Sequence, residues 1–345
     1  MKATEVGGKR VTQDDVARRA GVTRSIVSYV LNDTGRSVAP ETRARILRAI
    51  EELGYRPNKF AQGLMRGGSD SVAARQIGIV LNSADVFLRP YYAEILAGIH
   101  AAAHESGHHI RFIRFFNDLK NPILFNELIH RDEICGLILV SLDQSIATDE
   151  DRHVVQNIRE RIPNIVCVEW QSAGLSSVTF DREEAARAAT AHLLDKGYRD
   201  IVYVGESDNR IAGFRQAHRD RGLREAETAL IVAANDMRSG FEAASGVFGG
   251  TRRPRAVFAG SDEVAIGILR YLNEAGIAVP DDVAIISIDN IEMAEFTNPP
   301  LTTINVQKAA MGRRAVDMII RKSGGQDQDA VNVTLPTAMV LRESC

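Results

Sequence analysis

"DDVARRAGVTRSIVSYVLN", residues 14–32, carries two short helical patterns separated by a Gly-Val corner. Thr12, three residues ahead of Asp15, reads as an N-cap with a capping-box-like acid. Val16, Ala17 and Ala20 then make the apolar stripe of a helix over roughly 13–20. Gly21 can take the left-handed backbone that stops this helix, and Thr23 can cap a second one through Leu31, with Val27, Val30 and Leu31 inward. A third helix begins at Pro40, buries Ile46, Leu47, Ile50 and Leu53, and stops at Gly54. In so small a bundle the second helix cannot hide both faces. Its outer side offers a fork-shaped donor (Arg24), two hydroxyls (Ser25, Ser28) and a phenol (Tyr29), which suit base edges and phosphates in a major groove. The plainer alternative is a three-helix module with a solvated face.

Outward from this bundle, "YRPNKFAQGLMRGGSD" (55–70) punctuates the chain. Pro57 ends one element, Asn58 can cap a short helix over 59–65, and Gly67, Gly68 and Ser69 loosen the chain beyond it. A helix that short is marginal alone, so it is expected to form only against a copy of itself, on DNA, or both. Residues 1–66 hold 13 Lys and Arg against 7 Asp and Glu, which leaves 29 against 38 for the rest: a basic head on an acidic body.

From Gln76 the pattern becomes apolar strand, helix, apolar strand. Strands are predicted at 77–81, 110–113, 136–140 and 165–169, then at 201–205, 230–234, 256–260 and 283–288, with helices between them. This is an α/β body of two similar lobes, each a doubly wound parallel sheet. Ligands of such sheets sit beyond the carboxyl ends of the strands. There stand Phe87, Arg89, Tyr91 and Tyr92, then Asp143, Trp170, Arg210, Ser261 and Asp289. Aromatics to stack with acids and an arginine to grip hydroxyls form a polyol-reading set. Ser261 reads equally as a helix cap, and Asp181 reads as one, with Glu184 as its capping-box partner.

Other chemistries lack their parts. His100, His104 and His108 are four apart, without a third ligand type or the acid of a zinc-protease helix. There is no phosphate-binding loop, no serine nucleophile elbow and no dinucleotide fingerprint, so neither an enzyme nor a cofactor is expected. The three cysteines (Cys135, Cys167, Cys345) are far apart and fit no disulfide framework. With no secretory segment and no long apolar run, the expected location is the cytoplasm, away from membranes.

"VTQDDVARRAGVTRSIVSYVLN" followed by "RILRAIEELGYRPNKFAQGL" closely resembles the head of the lactose/galactose repressor family of bacterial transcription regulators. The resemblance continues in order through "SVTFDREEAARAATAHLLDKGYRDIVYVG", "NRIAGF", "SDEVAIGIL", "IISIDN", "PPLTTI" and "LRESC". It implies a helix-turn-helix head (1–57), a hinge helix and linker (58–75), and a periplasmic-binding-protein-like body (76–345). The first lobe would span about 76–172 and 303–332, the second about 173–302 and 333–345. By motif position Arg24, Ser25 and Tyr29 would read the groove, Thr12, Thr23, Ser28, Asn32 and Asn58 would lie near phosphates, and Ala61 and Leu64 would enter the minor groove.

In the body the resemblance implies an effector clamped between the lobes, with Arg210 and Asp289 as contacts and Tyr91 and Tyr92 as the aromatic pair. The partners implied are double-stranded operator DNA, a small effector and a second copy of the chain. The effector class is a sugar or sugar phosphate, with a nucleoside or purine as the alternative; a stand-alone sugar receptor is the rival from another class. No heptad tail comes after "TLPTAMVLRESC", so a homodimer and not a tetramer is expected. Two departures stand out: the loop "NDTGRSVAP" is one residue longer than in the archetype, and Gly63 is a poor helix former inside the hinge.

Overall fold

The computed structural model describes residues 11–32, 38–55, 75–223, 230–250, 253–326 and 329–345. The expected hinge helix, with Asn58, Ala61 and Leu64, lies outside these residues, as does the side chain of Asn32.

Three helices open the chain: α1 (Gln13–Ala20), α2 (Arg24–Asn32) and α3 (Pro40–Leu53). Thr12 and Asp15 form the reciprocal capping box that starts α1, and Gly21 ends it at φ 63°, a left-handed turn that only glycine takes freely. Val16, Ala17, Ala20, Val27, Val30, Ile46, Ala49 and Ile50 close into one apolar cluster, with Leu31, Leu47 and Leu53 partly buried around it. Ile123 from the body also packs on this cluster, and buried Asn126 donates from Nδ2 to the Ile50 carbonyl at 3.1 Å.

The body continues with β1 (Gln76–Leu81), α4 (Pro90–Glu105), β2 (His109–Phe115), α5 (Pro122–Leu128), β3 (Gly136–Val140), α6 (Asp149–Arg161), β4 (Ile165–Val168), β5 (Ser176–Phe180) and α7 (Arg182–Asp195). Then come β6 (Ile201–Gly205), α8 (Asn209–Arg219), β7 (Leu230–Val232), α9 (Met237–Phe248), β8 (Ala256–Ala259), α10 (Asp262–Glu274) and β9 (Ala284–Asp289). β10 (Thr302–Asn305), α11 (Lys308–Ser323), β11 (Asn332–Leu335) and β12 (Ala338–Val340) complete it. The two sheets have the orders β11-β5-β4-β3-β1-β2 and β12-β10-β9-β8-β6-β7. The pairs β1–β2, β1–β3 and β3–β4 are parallel, as are β6–β7, β6–β8, β8–β9 and β9–β10, whereas β12 runs antiparallel to β10. Both central strands β3 and β8 are wholly buried, which is why "GLILV" and "AVFAG" read as unbroken apolar runs.

The chain divides into two compact units: one of residues up to Leu88 with Ala97–Ser177 and Gly312–Asn332, the other of Arg89–Leu96, Val178–Met311 and Val333–Cys345. Two helices are thereby shared. The first turns of α4 belong to the second unit and its remainder to the first, and α11 changes unit after Met311. The expected boundaries shift accordingly: 303–305 form β10, bonded to β9 of the second sheet, instead of joining the first lobe.

Candidate functional site

In the head, the polar groups expected to meet DNA sit where the bundle leaves them. Thr12 closes its cap with Oγ1 donating to Asp15 Oδ2 at 2.7 Å and accepting from Asp15 N at 3.3 Å, so that hydroxyl is committed to the helix end. Thr23 is exposed, and its carbonyl accepts from Ile26 N and Val27 N at the start of α2. Arg24 and Ser25 are exposed in the first turn of α2; Ser28 and Tyr29, one turn on, are half-buried. The Arg24 side chain is 67% exposed, with Nε 3.4 Å from Gln13 Oε1 and Nη1 3.9 Å from Asp14. Contacts that long and solvated hold the guanidinium loosely. It remains a planar five-donor fork at the mouth of the second helix.

The first unit supplies three of the expected ligand-site residues, each in a different setting. Phe87 is 50% exposed and meets Phe115 edge to face at 6.0 Å. Asp143 is exposed at the start of a short 3-10 turn after β3. Trp170 is a core residue: it is buried among Leu139, Leu142, Val155 and Ile158, and its indole Nε1 donates to the Leu139 carbonyl at 3.0 Å. The bulk and the polar handle of this ring are both used inside the unit.

The second unit gathers the rest. Arg89, at the mouth of α4, gives Nε to Glu263 Oε2 at 3.0 Å and lies over the Tyr92 ring at 5.4 Å. Tyr91 and Tyr92 meet edge to face, 5.2 Å between centroids and 87° between planes. Arg89–Leu96, with both tyrosines, groups with Arg210 and Asp289, tied there by Arg89 to Glu263 and by Glu94 to Lys308.

Arg210 opens α8 and is buried. Asp208 caps that helix through the Arg210 amide and grips the guanidinium as well, with Nε at 3.0 and 3.1 Å from its two oxygens and Nη2 at 2.9 Å from Oδ2. Nη1 donates to the Gly260 carbonyl and reaches Asn235 Oδ1 at 3.5 Å. The helix can carry Arg210 there because Gly213, in "NRIAGF", passes against α7: a Cβ on it would collide with the Glu183 carbonyl oxygen. Burial disfavours the Arg210 charge, and Asp208 and Tyr203 more than offset it.

Three acids line the ends of β8 and β9. Ser261 caps α10, accepting from Val264 N at 3.3 Å, which realises the cap reading of that residue. Asp262 behind it accepts from Ser287 Oγ at 2.5 Å, Thr303 Oγ1 at 2.6 Å and Ile291 N at 2.8 Å; burial nevertheless pushes its carboxyl up to about 6. Asp289 is more perturbed. Burial first, and then the neighbouring Asp262, hold its carboxyl well above the usual range, against the pull of Arg210, Lys308 and Arg89. Burial also raises Glu263, despite Arg89.

Reading from sequence missed Asp208, Glu263 and Lys308, which hold Arg210, Arg89 and the Asp289 carbonyl, and Asp262, which ties Ser287, Thr303 and Ile291 together. Asp208 had a signal, as an Asp two positions before an arginine at a helix start. Glu263 had none, since its partner Arg89 lies 174 positions away. Asp181 does cap α7, accepting from Glu184 N at 2.9 Å, but the Glu184 side chain turns to Arg187 at 2.7 Å instead of closing a capping box. Among the described residues no group of three or more His, Cys, Asp and Glu could hold a metal ion, and no helix is long and apolar enough to cross a membrane.

A helix-turn-helix head on an α/β body whose strand ends carry buried, ion-paired donors and acceptors defines a ligand-responsive DNA-binding regulator. Residues 12–58 match the family "Bacterial regulatory proteins, lacI family", and 190–345 match "Periplasmic binding protein-like domain". The ribose operon repressor of Escherichia coli (strain K12) is 30% identical over 321 residues, 90% of this chain and 92% of that protein. The HTH-type transcriptional repressor PurR of Edwardsiella ictaluri is 28% identical, with 96% of each chain covered. Among solved structures, the transcriptional regulator CelR in complex with cellobiose superposes with a TM-score of 0.70 at 27% identity, covering 97% of this chain and 100% of that one. The chain belongs to the lacI family of bacterial regulatory proteins. It is a DNA-binding transcriptional regulator with an effector-binding body.

Proposed function

We propose that this regulator is a non-enzymatic, homodimeric repressor whose effector is a polyhydroxylated small molecule, a sugar in preference to a purine. The observation that carries this is the state of the aromatic pair. Tyr91 and Tyr92 stand edge to face, and Arg89 already lies over the Tyr92 ring, so the two rings form no parallel slot for a flat base. Around them, Arg89 with Glu263, Arg210 with Asp208, and Asp289 alternate donors and acceptors, the chemistry that hydroxyl groups match. The names of the ribose operon repressor and of the CelR-cellobiose complex agree with a sugar; PurR leaves the purine as the second outcome of the test.

Two copies would present two heads, and a two-fold dimer reads a pseudo-palindrome. Arg24, Ser25 and Tyr29 would take the base edges, and Thr12, Thr23, Ser28 and Asn32 the phosphates. The test has two parts. Selection from a random duplex pool by the full chain should return an inverted repeat, bound with a steep loss of affinity as salt rises. Thermal shift with D-ribose, cellobiose, adenine and guanosine should then move the midpoint for a sugar, since a ligand at about 100 times its Kd adds about 2.7 kcal/mol. A shift with a purine alone would overturn the sugar assignment.

A further inference from the structure

The end of β9 is held in a shape that non-glycine residues avoid: Asp289 has φ 123° and Asn290 φ 52°. Such a conformation persists only where its surroundings over-determine it. Asn290 N donates to Thr303 Oγ1 at 3.3 Å, Asn290 Nδ2 to Asn305 Oδ1 at 3.0 Å, and Arg342 Nη2 to Asn290 Oδ1 at 2.9 Å. Behind all of these lies Lys308, whose Nζ donates to the carbonyls of Asp289 at 2.6 Å, Asn290 at 3.0 Å and Val306 at 3.4 Å.

An ammonium has three protons and no acceptor, and here each proton has a carbonyl. The setting is otherwise hostile. Lys308 is 2% exposed and is the first residue of α11, where the helix dipole disfavours a cation. Its one ion-pair partner among the described residues is Glu94 on α4, at 3.4 Å and itself 43% exposed.

We propose that Lys308 is the positioning residue of the effector site: by holding the carbonyls of Asp289 and Asn290 it fixes the backbone that aims the Asp289 carboxyl. This deepens the effector reading, on which it rests for the role of Asp289. The same ammonium acts on that carboxyl through its charge. The charged groups facing Asp289 are Asp262 at the start of α10, Arg210 of α8, Arg89 ahead of α4, and Lys308 itself; Asp208, Glu263 and Glu94 pair with the last three. Removing Lys308 leaves burial and Asp262 less opposed, so the Asp289 proton is held to higher pH.

The test needs no ligand. The infrared band of protonated carboxyl groups is titrated against pH in the full chain, with the Asp289 component assigned by its loss in Asp289→Asn. Lys308→Gln keeps donors but removes the charge: its midpoint should rise by about 1 pH unit or more, with amide exchange over 288–291 close to that of the unsubstituted chain. Lys308→Met loses donors and charge, so the midpoint should rise and exchange over 288–291 should quicken about tenfold or more, the signature of a local opening. If the Met variant does not fold, Lys308→Ala carries the exchange measurement in its place. Unchanged amide exchange over 288–291 in folded Lys308→Met overturns the positioning role, and an unmoved midpoint in folded Lys308→Gln overturns the charge effect. A chain that shows the shift yet binds no sugar overturns the effector assignment and leaves this one standing.

Discussion

The helix proposed to read DNA and the cluster proposed to read a ligand are built in opposite ways. On α2, Arg24 and Ser25 are exposed, and the contacts of Arg24 are long: the bundle core of Val16, Val27, Ile46 and Ile50 sets the direction of the helix. In the second unit Arg210, Asp262, Glu263 and Asp289 are all buried; the first three are committed by their side chains to named neighbours, and Asp289 is held by its backbone carbonyl. A partner as large and as charged as DNA brings its own electrostatic attraction and can organise loose side chains. A small molecule cannot, so its site has to be organised in advance. Substitutions should therefore hurt affinity in the head with little change in stability, and hurt stability and ligand response together in the body.

The largest effect should come from breaking the body. Arg210→Met leaves Asp208 facing a buried apolar chain and the Gly260 carbonyl without its donor. The loss should be about 3 kcal/mol of unfolding free energy, the low end for a buried pair with one partner removed because Asp208 is itself 28% exposed, together with the ligand-induced thermal shift. Chemical denaturation measures it; a loss below about 1 kcal/mol, the range of solvent-exposed pairs, would mean that water reaches the pair.

Gly213→Ala comes next and sharpens the contrast, because it adds one methyl and touches no charged group. Overpacking against the Glu183 carbonyl should cost about 1 to 3 kcal/mol and displace the helix that carries Arg210, weakening sugar binding. Equal sugar affinity in this variant would show that the arginine finds its place independently of the helix contact.

In the head, Arg24→Ala should cost about 1 to 3 kcal/mol of operator affinity and relax preference at one symmetric base pair, the behaviour of an arginine gripping a guanine. Its unfolding midpoint should not move, since the side chain is mostly in water. An equal loss on random DNA would make Arg24 a phosphate contact instead.

The smallest effect is a slope. Asp262 is raised in the folded chain to about 6 from an ordinary 3.8, so the native state binds the extra proton. That contribution to stability is complete below pH 3.8 and is lost as pH rises through about 6. From about pH 4 to about pH 6.5 the unfolding temperature of the unsubstituted chain should fall relative to Asp262→Asn, which keeps an acceptor for Ser287 or Thr303 but has no proton to lose. Parallel pH profiles in a calorimeter would remove the buried acid from the account.

The same contrast explains what was legible in the sequence. Local signals were sufficient for the head: Thr12 with Asp15, Gly21, Pro40 and Gly54 mark helix ends by backbone chemistry, and α1 and α3 fall where those residues put them. Strands buried on both faces were equally plain, and β3 and β6 match residue for residue. The proposed ligand site was legible as residue types at strand ends and not as a structure. The burial of Trp170 and its bond to the Leu139 carbonyl were not legible, because that acceptor is 31 positions away and no local pattern announces such a partner. The grouping of Tyr91 and Tyr92 with the second unit was not legible, because the Arg89–Glu263 and Glu94–Lys308 pairs that accompany it join residues far apart in the sequence. The short edge strands β11 and β12, with their half-exposed pattern, lacked the apolar run that marked the others.

The central claim is that one region reads DNA and another reads a ligand that alters that reading, a coupling that must be reciprocal. Its most direct test is an operator titration by fluorescence anisotropy, with and without the sugar that raises the unfolding midpoint, for the unsubstituted chain and for Asp289→Ala. The unsubstituted chain should change its operator affinity when the sugar is added, and Asp289→Ala should bind the operator comparably in both conditions. A full sugar response in Asp289→Ala would contradict the account, because the ligand would then be read somewhere other than the end of β9.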